Sequence, residues 1–246
     1  MAKIRFLSGN VLKILAAIFM TVDHIGLMFF PSVRAFRIIG RLAFPIFAFM
    51  ISEGARYTRS KIKYLLSIMT LAVLCQIAYF LFDGSLYMSI LVTFSLSIIM
   101  IYALEELKKQ LFTKSRSLPL ILLSLTLFVL TVLLCYAFCK SLSVDYGFRG
   151  ALVPLIASIP DMRGISCPDG IKRIDCLPVR ILFLSAGLLL LAESSSGIQY
   201  YSLLAIPLLL LYSGKRGRVN MKYFFYVFYP LHLVILEGIY ILVHSM

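Results

Sequence analysis

Residues 13–53 read KILAAIFMTVDHIGLMFFPSVRAFRIIGRLAFPIFAFMISE, two hydrophobic helices joined by a short turn at Pro31-Ser32. Each apolar run approaches the roughly 20 residues that a helix needs to cross a bilayer. Asp23 and His24 sit inside the first run, Arg41 and Glu53 inside the second. Ionisable groups at membrane depth are costly and usually face a cavity or a partner. Four in two consecutive spans exceed what packing requires, so this stretch is where chemistry is expected.

The same pattern extends outward along the chain. It has 246 residues, 61% of them hydrophobic, and a mean hydropathy of +0.96. Soluble domains are nearer half apolar. The expected fold is an all-α, polytopic bundle of transmembrane helices, a single integral-membrane domain over residues 1–246 with no room for a sizeable soluble part. The first apolar run continues as a full span and lacks a small-residue cleavage pattern, so it reads as a span and not as a cleavable leader. A net charge of +13 does not point to nucleic acid, because Lys and Arg are the normal flanks of cytoplasmic loops. Of the five cysteines, Cys75, Cys135 and Cys139 lie in apolar runs and read as small core residues. Cys167 and Cys176 share a loop without a zinc spacing, and no metal is expected.

About nine spans of that kind can be drawn, near residues 11–30, 37–55, 64–82, 87–104, 118–139, 147–160, 179–193, 199–213 and 223–243. The basic residues then segregate. Lys3, Arg5 and Lys13 fall on one side with the groups Arg56 to Lys63, Lys108 to Arg116, Arg163 to Arg180 and Lys215 to Lys222. Only Arg34, Arg37, Arg41, Lys140 and Arg149 fall on the other. Positive charge marks the cytoplasmic side, so the N-terminus is expected inside and the C-terminus outside. Residues 161–178 carry Gly164, Pro168, Gly170 and Pro178, a loop signature, and read as a mobile cytosolic connector in preference to a cover over a cytosolic entrance.

Three polar constellations follow. Lys13 to His24 is eleven steps, roughly 16 Å along a helix and close to three full turns, so the two lie near one face. Arg41 is expected at the depth of Asp23 and His24 on an antiparallel neighbour. Histidine suits proton transfer near neutral pH, a carboxylate can steady an imidazolium, and an arginine can neutralise Asp23 or stabilise an oxyanion. A buried ion pair beside a packed histidine is the plainer alternative. In residues 222–238, His232 falls about 15 Å into the last span. Pro230 removes a backbone hydrogen bond nearby, and Tyr226 and Tyr229 are either interfacial or structural. In DYGFRG, residues 145–150, Asp145 and Arg149 are spaced as a helix-start pair or as substrate contacts.

The blocks LKILAAIFMTVDHIG (residues 12–26), RIIGRLAFPIFAFMISEGARYTRSKIKYL (37–65), DYGFRG (145–150) and FFYVFYPLHL (224–233) resemble the TraX family, membrane proteins associated with acetylation of conjugative pilin. TVDHIG and GRLAFPIFAF are the specific part. The wider group of polytopic acyltransferases carries a basic residue and a histidine in its first helix with ten residues between them. Lys13 and His24 have that spacing, with lysine where the wider group more often has arginine, a point charge in place of a bidentate fork.

The resemblance implies an acetyltransferase of the bacterial inner membrane that moves an acetyl group from cytosolic acetyl-CoA to an amine or hydroxyl acceptor. The acceptor would be a protein N-terminus such as pilin, or an envelope glycan. It implies His24 as general base, supported by Asp23 and Arg41, with His232 as the second catalytic candidate. Lys13, Arg56, Arg59 and Lys63 are expected to meet the donor's phosphates by charge, and Glu53, Asp145, Arg149 and Tyr229 to contact the acceptor. The expected partners are thus acetyl-CoA, the protein or glycan acceptor and the lipid bilayer, with no nucleic acid. The competing reading is a transporter of a small or anionic substrate that uses the intramembrane His, Asp and Arg.

Overall fold

A computed structural model describes residues 5–84, 86–113, 117–195, 197–219 and 221–244. The expected basic positions Lys3, Lys114 and Arg116, and the side chain of Lys222, lie outside the described residues. Within them the chain is helical with no strand: α1 Gly9–Phe29, α2 Arg34–Gly40, α3 Ala43–Tyr57, α4 Lys61–Asp83, α5 Ile90–Phe112, α6 Leu118–Ser141, α7 Gly147–Ala157, α8 Asp169–Lys172, α9 Leu177–Ala192, a 3-10 helix Gly197–Ala205, α10 Ile206–Leu210 and α11 Lys222–His244.

Among the described residues, six stretches are long and apolar enough to cross a membrane: Gly9–Phe29, Arg34–Tyr57, Lys61–Leu81, Ile90–Phe112, Leu118–Ser141 and Phe224–Val243. The remaining three expected spans form the shorter apolar helices Gly147–Ala157, Leu177–Ala192 and Gly197–Leu210. At 1.5 Å per residue these fall short of a hydrocarbon core about 30 Å thick, so six of the nine expected spans meet the length rule and three do not. The second long stretch is itself broken. Pro45 has no N–H for the Arg41 carbonyl, and the helix is interrupted by a turn at Arg41-Leu42. Large apolar side chains stay exposed on α6, Leu122, Leu123, Leu130 and Leu134 among them. Lipid is the solvent such a face needs, since the helix satisfies its own backbone.

The chain divides into two compact units. The first comprises Met1–Met50, Val73–Leu86 and Leu188–Met246, the second Ile51–Ala72 and Tyr87–Gly187. In the first, α1 packs along α2 and against α11, and α2 also meets the 3-10 helix. The start of α1 is well satisfied. Ser8 accepts from the Val11 N–H, and the amides of Gly9 and Asn10 reach the carbonyls of Lys215 and Arg216 at 2.8 and 2.9 Å. A helix N-terminus leaves such donors without partners of its own, so the segment after α10 caps α1. The α1–α2 seam is closed by two glycines. Gly26 of α1 lies against Phe36, and Gly40 of α2 lies against the side chain of Asp23. Small residues at a helix interface let backbones approach where lipid gives no hydrophobic drive.

In the second unit α5 packs against α6 and α7, around a core of Ala55, Met100, Ile101, Cys135, Ala151 and Leu155. The connector after α7 is tied down at both ends. Arg56 holds Asp161 at 2.7 Å and also holds Asp175, the Met162 amide donates to Asp175, and Ile165 and Cys167 are buried. Lys108 donates to the carbonyls of Ser158 and Asp161 at 2.8 and 3.0 Å. The mobile connector read from its Gly and Pro content is therefore a fastened loop, because Asp161 and Asp175, near its two ends, converge on one arginine. Burial pushes the Asp161 carboxyl above the usual carboxylate range, against the opposing pull of Arg56.

A methyl group added at Gly40 would overlap the carboxylate of Asp23. Gly40→Ala is expected to cost about 1–3 kcal/mol, the range for overpacking a tight interior, read as a lowered midpoint of thermal denaturation in detergent. Gly238→Ala, on a helix position with open space around it, is the control and should be neutral or slightly stabilising.

Candidate functional site

The first unit gathers the polar residues of α1 and α2. Asp23 accepts from Arg37 at 2.7 Å and from Nη2 of Arg41 with both its oxygens, at 3.1 Å to Oδ1 and 2.9 Å to Oδ2. Arg37 and Arg41 are one turn apart, so α2 presents both guanidinium groups on one face. The second nitrogen of Arg41, Nη1, donates to Gln199 Oε1 of the 3-10 helix at 3.2 Å. One carboxylate thus fixes α2 on α1, and through Arg41 it fixes a side chain far away in sequence. Arg41 lies in the turn that interrupts the second long stretch, where a discontinuous helix frees backbone and turns side chains inward.

His24, the next residue along α1, pairs with His232 of α11. His24 Nδ1 lies 3.1 Å from His232 Nε2, and the rings are nearly parallel. His232 Nδ1 lies 3.0 Å from the carbonyl of Phe228. A carbonyl only accepts, so His232 Nδ1 carries a proton. In the neutral ring Nε2 is then the acceptor, and the proton between the histidines belongs to His24 Nδ1. This network assigns the tautomers and leaves His24 Nε2 with its lone pair free. His232 is held by its surroundings. It is 6% exposed, stacked on Phe228 and met at its edge by Tyr229.

The other expected site residues are distributed as follows. Lys13 places its ammonium 5.9 Å from the ring centre of Phe225 on α11. In the second unit, Arg56 is committed to Asp161 and Asp175. Arg59, in the α3–α4 connection, and Lys63, in the first turn of α4, are exposed and have no ion-pair partner among the described residues. Glu53 is buried against Arg180, whose other nitrogen donates to Ser52 at 3.0 Å. Asp145 accepts from the Tyr87 hydroxyl at 2.9 Å, and Arg149 is exposed in the first turn of α7. A small cavity of about 100 Å³ in this unit is lined by Arg56, Lys61, Lys108, Asp161 and Arg163 among others. Its cations are largely answered, Arg56 as above and Lys61 by Glu105 at 2.7 Å. Among the described residues no three of His, Cys, Asp and Glu converge as a metal site would need.

Four participants escape a reading of the sequence. Arg37 was legible in principle, since it precedes Arg41 by one helical turn. Arg180 reads as a loop cation but is the buried partner of Glu53. Lys108 reads as a surface cation but caps a loop from inside. Gln199 gives no signal at all, because its place beside Arg41 depends on tertiary structure.

The family model described as TraX protein matches residues 8–240. A protein of Dichelobacter nodosus described as a probable fimbrial assembly protein FimC, serogroup H1, is 26% identical over 248 residues, 92% of each chain. An uncharacterized protein of Rickettsia prowazekii is 55% identical over a 40-residue stretch, 16% of each chain. No solved structure matches.

Proposed function

The chain belongs to the TraX family, and on that premise we propose that it is an acetyltransferase of the bacterial inner membrane. It would transfer the acetyl group of cytosolic acetyl-CoA to an amine or hydroxyl acceptor, such as a pilin N-terminus or an envelope glycan. The name of the Dichelobacter relative, a fimbrial assembly protein, supports a pilus-related acceptor. The observation that carries the chemistry is the Phe228–His232–His24 relay, which leaves one imidazole nitrogen unprotonated inside a membrane helix.

The proposed step is a single acyl transfer. The acceptor nitrogen or oxygen bonds to the thioester carbonyl carbon, and its proton passes to His24 Nε2. The tetrahedral adduct then collapses, the carbon–sulfur bond breaks, and the departing thiolate takes the proton back. His232 keeps His24 in the tautomer that can accept, and shares the imidazolium charge through the shared hydrogen bond, a part carboxylates play in other relays. Asp23, Arg41 and Arg37 hold the α1 segment in place and give it a charged setting.

The charge asymmetry of the loops supports an N-in, C-out orientation, which requires an odd number of crossings, so the three shorter apolar helices are taken to cross together with the six long ones. In this orientation Cys176, which is exposed while Cys167 is buried, lies on the cytosolic side. A membrane-impermeant maleimide is expected to label Cys176 only after permeabilisation, and labelling in intact cells would reverse the orientation.

The catalytic proposal is tested by thiol release from acetyl-CoA in the presence of a peptide with a free N-terminus or of a glycan. Losing a general base costs about 10²–10⁴-fold, so His24→Ala should lose at least a hundredfold in kcat and keep its fold. A His24→Ala protein with more than about a tenth of wild-type turnover would remove His24 from the role. A wild-type protein that moves a small anion across vesicles and releases no thiol would favour transport instead.

A further inference from the structure

The segment Gly197–Ala205 is a 3-10 helix of nine residues, where runs beyond three or four residues are uncommon. With three residues per turn, side chains at i and i+3 eclipse. Its buried residues are Gln199, Ser202 and Ala205, which is that one face. An α-helical pitch would have swung the third away. Two of the three are polar. Gln199 is 2% exposed and Ser202 is 0% exposed, and among the described residues neither Gln199 Nε2 nor Ser202 Oγ has a hydrogen-bond partner. A buried donor without a partner costs on the order of 1–3 kcal/mol, and such groups call for an explanation in function, water or a ligand.

The orientation of Gln199 is fixed by chemistry. Arg41 has donors only, so the oxygen of the amide must face Arg41, as it does at 3.2 Å. The NH₂ is thereby turned away from the Asp23–Arg41 pair, one turn of 3-10 helix from the Ser202 hydroxyl. The result is a fixed pair of hydrogen-bond donors on the buried face of one short helix, steered by the same arginine that holds the carboxylate next to His24.

We propose, resting on the acetyl-transfer reading above, that Gln199 Nε2 and Ser202 Oγ bind the carbonyl oxygen of the transferred acyl group. As the acceptor bonds to the carbonyl carbon, the carbonyl π electrons move onto that oxygen. The two donors meet the developing negative charge with no reorganisation, which is where such groups have their largest effect. When the carbon–sulfur bond breaks, the charge returns to the carbonyl and the donors hold the product's amide or ester oxygen.

The test uses the full-length protein in detergent and three variants. Gln199→Glu keeps an oxygen for Arg41 and removes only the donors. Gln199→Met removes both, and Ser202→Ala removes the hydroxyl. Thiol release from acetyl-CoA with a peptide amine gives kcat and KM, thermal denaturation gives folding, and the infrared carbonyl band of bound acetyl-CoA labelled with ¹³C at the carbonyl reports the hydrogen bond directly. Expected are a fall in kcat of about 10²–10³-fold in Gln199→Glu, a smaller fall in Ser202→Ala, little change in KM, and a thermal midpoint for Gln199→Glu no lower than wild type. The lowered carbonyl frequency of the wild type should be lost in both. Wild-type kcat and an unshifted band in Gln199→Glu would overturn the inference and leave water as the occupant of the donors. A wild type that neither binds nor turns over acetyl-CoA would overturn the acetyl-transfer reading, and this inference with it.

Discussion

The carboxylate of Asp23, held between Arg37 and Arg41, is the constraint on which the first unit depends. Removing one partner of a buried ion pair costs roughly 3–5 kcal/mol, because it leaves a charge without an answer. Here the two arginines of α2 share one acid, so the register of α2 against α1 has one low-energy solution. Gly26 and Gly40 make that solution reachable by letting the two backbones come close. Two groups of the proposed chemistry are placed by it. His24 follows Asp23 in the chain, and Arg41 turns Gln199.

The same principle works in the second unit, with a different outcome. Arg180 answers Glu53, and Arg56 answers both Asp161 and Asp175. These ion pairs close on themselves and fasten the connector between α7 and α9. They are stabilising and positional, and they take Glu53 and Arg56 away from the roles of acceptor contact and phosphate contact that their residue types suggest. In the first unit, by contrast, the network ends on groups that are not closed: a bare imidazole nitrogen on His24 and two donors on the 3-10 helix.

The fold class was legible in the sequence because lipid imposes a simple length and hydropathy rule, and the family was legible in the blocks around TVDHIG and GRLAFPIFAF. Span number was legible only in part: the helix expected over 147–160 starts at Gly147, after the left-handed Tyr146, but ends at Ala157 after 11 residues, short of a bilayer's thickness. The pairing of Asp23 with Arg41 followed from depth and antiparallel geometry. The pairing of His24 with His232 did not, because 208 positions separate them and no periodicity connects α1 to α11. Gln199 and Ser202 open the expected span 199–213, and nothing in the sequence marks them as the buried residues of that stretch. Their common face emerges only from the 3-10 pitch, which the sequence does not announce.

The relay makes a claim about protons that can be read without turnover. Ring-nitrogen ¹⁵N NMR on histidine-labelled protein, with His244→Gln to leave two histidines, reports which nitrogen of each ring is protonated. The account predicts a proton on Nδ1 of both His24 and His232, with Nε2 of His24 showing the shift of a bare nitrogen. A His24 ring protonated at Nε2 would contradict it, since that ring would have no free lone pair there to take the acceptor's proton.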